Sequence, residues 1–555
     1  MKPKRILIIG GVAGGASAAA HARRLSEETE IIMFERGPHV SFANCGLPYF
    51  IGGEISDKSD LLVQTPESLR ARFNLDVRVL SEVKEINPKE RWVRVFNHQN
   101  NEEYRESYDD LIISTGASPL KPPIPGIDHP AHFSLRSIPD AEAILDWIET
   151  NKARRAVIVG GGFIGLEMAE QLQRRGLQVA VVEALSQVMA AFDPEMAAWL
   201  HQELKVNGVD LRLNDGVSAF IAPQADEGHQ SIVELKSGAR LPADLVILGI
   251  GVRAESQLAL QAGLETGKRG GIRVNNMLRT SDAHIWALGD AIEVTDFVTG
   301  EAVMVPLAGP ANRQGRIVSD NIFGGNEIYA GTLGTAIVRV FECSAACTGA
   351  SEKTLQRLNL SYEKVYLHPA SHANYYPGGS RIAMKILFDP KTGKLLGAQV
   401  IGKDGVDKRI DVLATALKSG LTMHDLEALE LAYAPPFGAA KDPVNLAGMV
   451  AQHVVKGEIK NAHWNELDQV ASNQQVLLDV RDEDEREEGC IQPSLHIPLD
   501  ELHERMQELP RDKEIIVYCQ TGQRSFFACR QLALSGFKVK NLSGAYRTWK
   551  VMQEK

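Results

Sequence analysis

The sequence predicts an α/β fold with an α+β segment set before a compact α/β unit at its C-terminal end. Three observations carry this prediction. Two apolar strands run into glycine-rich loops, Gly10-Gly11-Val12-Ala13-Gly14-Gly15 and Gly160-Gly161-Gly162-Phe163-Ile164-Gly165, about 150 residues apart. From about residue 326 the pattern changes to mixed strands and helices, including Arg381 to Leu387, Lys394 to Ile401 and Ile410 to Lys418. From about residue 465 a new series starts, with Val476 to Arg481 and Ile515 to Cys519 as its clearest strands.

In the first unit, Ile6-Leu7-Ile8-Ile9 is an unbroken apolar run, as a strand buried on both faces requires. An alanine-rich helix follows, and Ile31 to Phe34 forms a second strand. That strand ends at Glu35, 20 residues after Gly15, where an acid serves a ribose hydroxyl in a dinucleotide-binding βαβ unit. The start Met1-Lys2-Pro3-Lys4-Arg5, followed by apolar residues, imitates a secretory signal; the motif context favours a strand. Gly10, Ala13 and Gly15 are candidate pyrophosphate contacts, because glycines permit close backbone approach and a helix N-terminus supplies N–H donors. Val12 stands at the middle glycine position, so approach there must tolerate a side chain.

The second unit repeats the design. Ala156 to Val159 leads into Gly160, Gly162 and Gly165, and Val181-Val182 ends at Glu183. A carboxylate at Glu183 accepts a ribose 2′-OH and repels a 2′-phosphate, so NADH is expected over NADPH. Two further segments close the first nucleotide site: Leu111 to Gly116, which contains Thr115, and Thr280 to Asp290. For Gly289-Asp290 a simple turn is the alternative.

Composition bounds the function. With 44% hydrophobic and 24% charged residues the chain is ordinary for a globular protein of about three to four domains. A net charge of -11 argues against general nucleic-acid binding without forbidding a local basic pocket for a phosphorylated ligand. No apolar run reaches the ~18 residues that a membrane span needs. Six irregularly spaced cysteines are no disulfide framework, so a reducing cytoplasm is expected.

The cysteines carry the chemistry. Cys45 stands alone in Ser41-Phe42-Ala43-Asn44-Cys45-Gly46-Leu47-Pro48-Tyr49, and the next cysteine is Cys343. A single redox thiol takes its sulfur partner from outside: a small thiol, a persulfide, or oxygen as a sulfenic acid. Gly46 and Pro48 suggest a turn entering a helix, where dipole and N–H groups stabilise a thiolate; a buried core cysteine is the alternative. Cys519 opens a second candidate, Cys519-Gln520-Thr521-Gly522-Gln523-Arg524-Ser525, between an apolar strand and a helix. Such a loop turns backbone N–H groups inward as an anion nest, and Arg524 is expected to lower the thiol pKa. Phosphatase loops resemble this one, usually with one more residue between Cys and Arg; four intervene here, which favours sulfur over phosphate. Cys343 and Cys347 lack partner ligands and read as structural thiols, Cys529 as core, and no metal site is expected.

Several motifs together resemble the single-cysteine branch of the pyridine-nucleotide disulfide oxidoreductases. They are the Ser41 to Tyr49 segment, Val305-Pro306-Leu307-Ala308, Asn374-Tyr375-Tyr376-Pro377-Gly378 and Ala432-Tyr433-Ala434-Pro435-Pro436. The last ~90 residues resemble a rhodanese domain, with Asp479 and Arg481 as scaffold and Cys490 where histidine is frequent. The combination is similar to the rhodanese-bearing coenzyme A disulfide reductases and NADH-dependent persulfide reductases.

The resemblance implies two Rossmann-like domains, for FAD (1–110 plus 244–325) and NADH (111–243). It also implies a dimerisation domain (326–455), a linker (456–464) and the rhodanese domain (465–555). FAD would be lined by Gly10, Ala13, Gly15, Glu35, Arg36, Val83, Thr115, Asp290 and Ala308. Coenzyme A would be lined by Ser17, His21, Arg24, Ser41, Asn44, Asn312 and Lys441, with Arg23 adding charge. His21 could titrate near neutral pH, and some relatives carry histidine at the position of Asn312. Tyr375 and Tyr433 would come from the partner of an obligate homodimer and assist a leaving thiolate at Cys45. His368 and His372, flanking the tyrosine motif, read as channel or interface residues. The implied activity is NADH-dependent reduction of persulfides or polysulfides, coenzyme A persulfide included, with release of sulfide and with Cys519 handling sulfane sulfur. The alternatives are coenzyme A disulfide reduction, a rhodanese sulfurtransferase with a regulatory flavoprotein half, and an NADH oxidase. Neither nucleic acid nor membrane is an expected partner.

Overall fold

The computed structural model describes residues 3–223, 228, 230–469 and 474–553. The chain divides into two compact units: Met1–Ser186 with Val209–Thr332, and Gln187–Gly208 with Leu333–Lys555. Met1 and Lys2 of the basic start lie outside the described residues, and Arg5–Ile9 is a strand.

In the first unit this strand is the centre of a five-stranded parallel sheet. The order is Ile285–Ala287, Asp110–Ile113, Arg5–Ile9, Glu30–Phe34, Asp76–Arg78. Ile6, Leu7 and Ile8 are fully buried, each worth about 1.5–3 kcal/mol relative to exposure. The turn after the strand requires glycine. Gly10 has φ +98°, and a Cβ on Gly15 would meet the Gly10 carbonyl oxygen at 1.9 Å.

A second parallel sheet has the same arrangement: Asp210–Arg212, Gln178–Val182, Arg155–Val159, Leu245–Leu248, His132–Phe133. Sheet membership moves two expected boundaries. Strand 110–113, cut by the boundary expected at 110/111, pairs with Arg5–Ile9 and belongs to the first sheet. Strand 245–248, expected in the first domain, pairs with Arg155–Val159. Both strands are short apolar runs, and hydrogen-bond register across the sheet decides which layer each joins.

In the second unit an antiparallel sheet runs Ala336–Val340, Cys343–Gly349, Leu395–Gly402, Ile382–Phe388, Glu363–Leu367. Helix Pro194–Val206 belongs to this unit. Its start delivers Asp193 and Glu195 to the buried Lys385, whose Nζ lies 2.9 Å from Asp193, 2.5 Å from Glu195 and 2.5 Å from Glu352. A lysine at the centre of three carboxylates is held well above its ordinary titration despite burial, with Tyr366, Glu195, Asp193 and Glu352 raising it. Glu352, which also pairs with Lys364 at 2.6 Å, is lowered to about 2; burial opposes the shift, and Lys385 and Lys364 outweigh it.

The C-terminal part is a third parallel sheet: Asn461–Ala462, Lys538–Leu542, Glu514–Tyr518, Gln475–Asp479, Leu495–His496. Its contacts to the antiparallel sheet are specific. The Tyr366 N–H donates to Ser543 Oγ at 3.0 Å, and the buried His368 meets Thr548 Oγ1 at 2.9 Å. Val551 and Met552 pack on Ala198 and Trp199. Among the described residues no helix is long and apolar enough to cross a membrane.

Candidate functional site

The two glycine loops are built alike. Glu35 accepts from the Gly11 N–H at 2.9 Å and the Gly37 N–H at 2.8 Å. Glu183 accepts from the Gly161 N–H at 2.8 Å and the Leu185 N–H at 2.8 Å. Each acid therefore ties its strand end to the loop while keeping lone pairs for ribose hydroxyls. The helices Ala13–Leu25 and Phe163–Arg174 begin without a side-chain cap, which leaves first-turn N–H groups for an anion. A Cβ on Gly162 would meet nothing within 4 Å, so the second loop has open room for a pyrophosphate. Both loops fit a dinucleotide.

The other expected FAD residues lie in the same unit. Arg36 pairs with Glu255 at 2.7 Å, and Thr115 Oγ1 donates to the Glu255 carbonyl at 2.7 Å. Arg136, which the sequence reading did not single out, holds Glu255 at 2.8 Å and the Thr115 carbonyl at 3.2 Å. Val83 is buried in strand Ser81–Asn87, and Ala308 starts the uncapped helix Ala308–Ile322. Asp290 sits on the turn Gly289–Ala291; burial raises its carboxyl, and Arg136 opposes that.

Cys45 is exposed, on the single turn Asn44–Gly46 before the six-residue helix Leu47–Gly52. Its N–H donates to Asn44 Oδ1 at 3.1 Å. The expectation of a thiolate-favouring helix start is corrected here. Desolvation by the surrounding protein, then the charges of Glu167 and Asp290, push the thiol up. Glu167, held by the Tyr49 hydroxyl at 3.0 Å, lies two residues beyond Gly165. An acid that close to the second glycine loop was the available signal for it.

The expected coenzyme A positions fall on several elements. Ser17, His21 and Arg24 share helix Ala13–Leu25 and face helix Ala308–Ile322. Ser17 Oγ lies 2.6 Å from Asn312 Oδ1, His21 Nε2 lies 2.8 Å from Asp320, and Arg24 reaches His21 Nδ1 at 3.2 Å. Ser41 hydrogen bonds through its N–H to the Gly11 carbonyl at 2.8 Å, and Asn44 adjoins Cys45. Arg23 is corrected to a structural residue: it is buried, and its guanidinium caps the carbonyls of Phe73, Ser26, Glu27 and Asn74. Lys441 is exposed and belongs to the second unit.

So do both tyrosines. Tyr375 OH and Tyr433 OH lie 2.8 Å apart, and Tyr375, Tyr433 and Phe437 are 74%, 47% and 73% exposed. The hydrogen bond shared with Tyr375 raises the Tyr433 phenol.

Cys519 follows strand Glu514–Tyr518 and is buried. The Gly522 N–H points at its Sγ at 3.1 Å, and Ser525 Oγ lies 3.5 Å away, itself 2.7 Å from Asn541 Oδ1. Gly522 has φ +107°, which turns that N–H inward. Arg524 is oriented by Asp482 at 2.9 Å and by Glu485, and its charge still interacts with Cys519. Asp479 and Arg481 form a buried pair at 2.9 Å.

Comparison with known proteins supplies the context. The profile described as pyridine nucleotide-disulphide oxidoreductase matches residues 4–315. The dimerisation domain of that group matches 335–443, and a rhodanese-like domain matches 463–552. A coenzyme A disulfide reductase from Staphylococcus haemolyticus is 36% identical, over 81% of this chain and 99% of its own length. The crystal structure of reduced Bacillus anthracis CoADR-RHD superposes with a TM-score of 0.97 at 50% identity, covering 100% of this chain and 99% of that one. The NAD-dependent persulfide reductase from A. fulgidus superposes at 0.91 with 37% identity, covering 98% and 100%.

Proposed function

Because the chain belongs to the pyridine nucleotide-disulphide oxidoreductase family, we propose that it uses NADH and FAD to reduce persulfides, coenzyme A persulfide foremost, to thiol and sulfide. One observation carries this reading. The same chain holds an exposed thiol with no cysteine between it and Cys343, and a second thiol set under a backbone N–H in a rhodanese-like loop.

The net reaction is NADH + RSSH → NAD⁺ + RSH + HS⁻. The Cys45 thiolate attacks the sulfane sulfur; the Cys45 S–S bond forms, and the RS–S bond breaks with RS⁻ leaving. When bound, FAD supplies the two electrons, taken from NADH, that return Cys45 to its thiol and free sulfide. Gly10, Ala13, Gly15, Glu35, Arg36, Val83, Thr115, Asp290 and Ala308 would hold FAD. Gly160, Gly162, Gly165 and Glu183 would hold NADH. Ser17, His21, Arg24, Ser41, Asn44, Asn312 and Lys441 would receive coenzyme A. Cys519 would carry sulfane sulfur, stabilised by the Gly522 N–H and by the charge of Arg524, which Asp482 and Glu485 orient.

The exposed aromatics around Tyr375 and Tyr433 support a homodimer, since large exposed aromatic patches mark interaction surfaces. There the protonated phenols would reach the Cys45 of a second copy and donate to the departing thiolate. All six cysteines are free, which suits a reducing cytoplasm.

Coenzyme A disulfide reduction is the second reading, favoured by the 36% identical relative of that name. Anaerobic NADH oxidation with coenzyme A persulfide and coenzyme A disulfide side by side, tracking sulfide, separates them. Faster turnover on the persulfide with one sulfide per NADH is the expected result. The reverse ranking would establish the disulfide reductase.

A further inference from the structure

Within the second unit, the antiparallel sheet, helix Pro194–Val206 and helix Ala545–Gln553 border an open-sided pocket of about 380 Å³ that the chemistry above does not use. Arg381, Lys403 and Arg547 line it. Arg381 donates to the His368 carbonyl at 3.1 Å, and Lys403 stands 3.7 Å from Glu342 on an exposed edge.

Arg547 differs from both. It is half-buried and lies over the Trp199 ring at 5.3 Å. Its Nε is shielded from solvent, and among the described residues no acceptor or carboxylate pairs with its guanidinium. Burial and the neighbouring Arg381 both pull its titration down. Glu203, the carboxylate on the wall, is already engaged by the Glu342 N–H at 3.1 Å and Cys343 Sγ at 3.4 Å. Ser380 Oγ is a second buried polar atom on the wall without a partner.

A guanidinium nitrogen shielded from water calls for an acceptor, and no described side chain supplies one to Arg547 Nε. Three cations and a hydroxyl suit a dianion with several oxygens better than a lone carboxylate. The pocket falls within the size range of small-molecule sites, and Trp199 and Ile401 give it an apolar wall. We propose that this pocket binds a phosphorylated small molecule, its phosphate on Arg381, Lys403, Arg547 and Ser380 and its organic part against Trp199. The occupant would touch the helix whose backbone holds the Cys519 loop: the Tyr546 N–H donates to the Cys519 carbonyl at 2.9 Å, and the Arg547 N–H to that of Gln520 at 3.3 Å.

The test is calorimetric titration of the full-length FAD-loaded enzyme with phenyl phosphate, inorganic phosphate and phenol. Phenyl phosphate is expected to bind more tightly than inorganic phosphate, phenol not at all. Arg547→Met and Arg381→Met should each weaken phenyl phosphate by at least about tenfold, the scale of a lost charged hydrogen bond. Phenyl phosphate should raise the melting temperature of the wild type and not of Arg547→Met. Should Arg547→Met fail to fold, Lys403→Met at the exposed edge carries the test, with an expected severalfold loss. Unchanged affinity in the variants, no binding by either phosphate, or equal binding of phenol and phenyl phosphate would each overturn the assignment.

Discussion

Cys45 and Cys519 both sit on turns, yet their surroundings differ. Cys45 is exposed, yet desolvation by the surrounding protein and then the carboxylates at Glu167 and Asp290 oppose its ionisation. Cys519 is buried but has a donor of its own in the inward Gly522 N–H, while its thiol donates to Ser525 Oγ, whose own proton goes to Asn541 Oδ1. The contrast teaches where each site keeps its anion stabilisation. At Cys519 it is built into the backbone turn. At Cys45 the chain's own side chains work against it.

Four experiments can break or sharpen this comparison. Cys45→Ser should cut NADH-dependent reduction of every sulfur substrate by at least about 10³-fold, as loss of a covalent nucleophile does, while FAD absorbance is retained; normal turnover in this variant would remove Cys45 from the reaction. Cys519→Ser should abolish thiosulfate sulfurtransfer and spare reduction of coenzyme A persulfide. Equal loss of both activities would show that the two thiols are obligatorily coupled.

Lys385→Met leaves three buried carboxylates without their cation. It should cost about 3–5 kcal/mol in denaturant unfolding, with the Cys519-bearing unit melting first. Glu167→Gln removes one of the charges that raise Cys45, so the pH midpoint for alkylation of Cys45 should fall by a fraction of a pH unit. An unmoved midpoint would leave desolvation as the cause.

Positive evidence for the fold lay in local pattern. The apolar runs before Gly10 and Gly160, the acids at Glu35 and Glu183, and the strand–loop–helix around Cys519 all depend on residues within about 30 positions of one another, the span of a βαβ unit. The site was legible where a motif places its own atoms, as at Gly522, whose φ of +107° aims an N–H at a sulfur three residues away. It was illegible where the partner is distant. Arg23 resembled a ligand cation until its carbonyl partners at Phe73 and Asn74 were brought up against it. Arg524 is likewise oriented by Asp482 and Glu485, partners that no local pattern reveals.

By itself, then, the sequence determined the two glycine-loop units, the isolation of Cys45 and the Cys519 loop, because periodicity, glycine turns and cysteine spacing are short-range properties. Tertiary structure alone decided which sheet strand 245–248 joins, how Lys385 gathers Asp193, Glu195 and Glu352, and which way Cys45 is shifted. Those outcomes are set by hydrogen-bond register and by charges brought together in a low-dielectric interior, where an interaction depends on distance in space and not on distance along the chain.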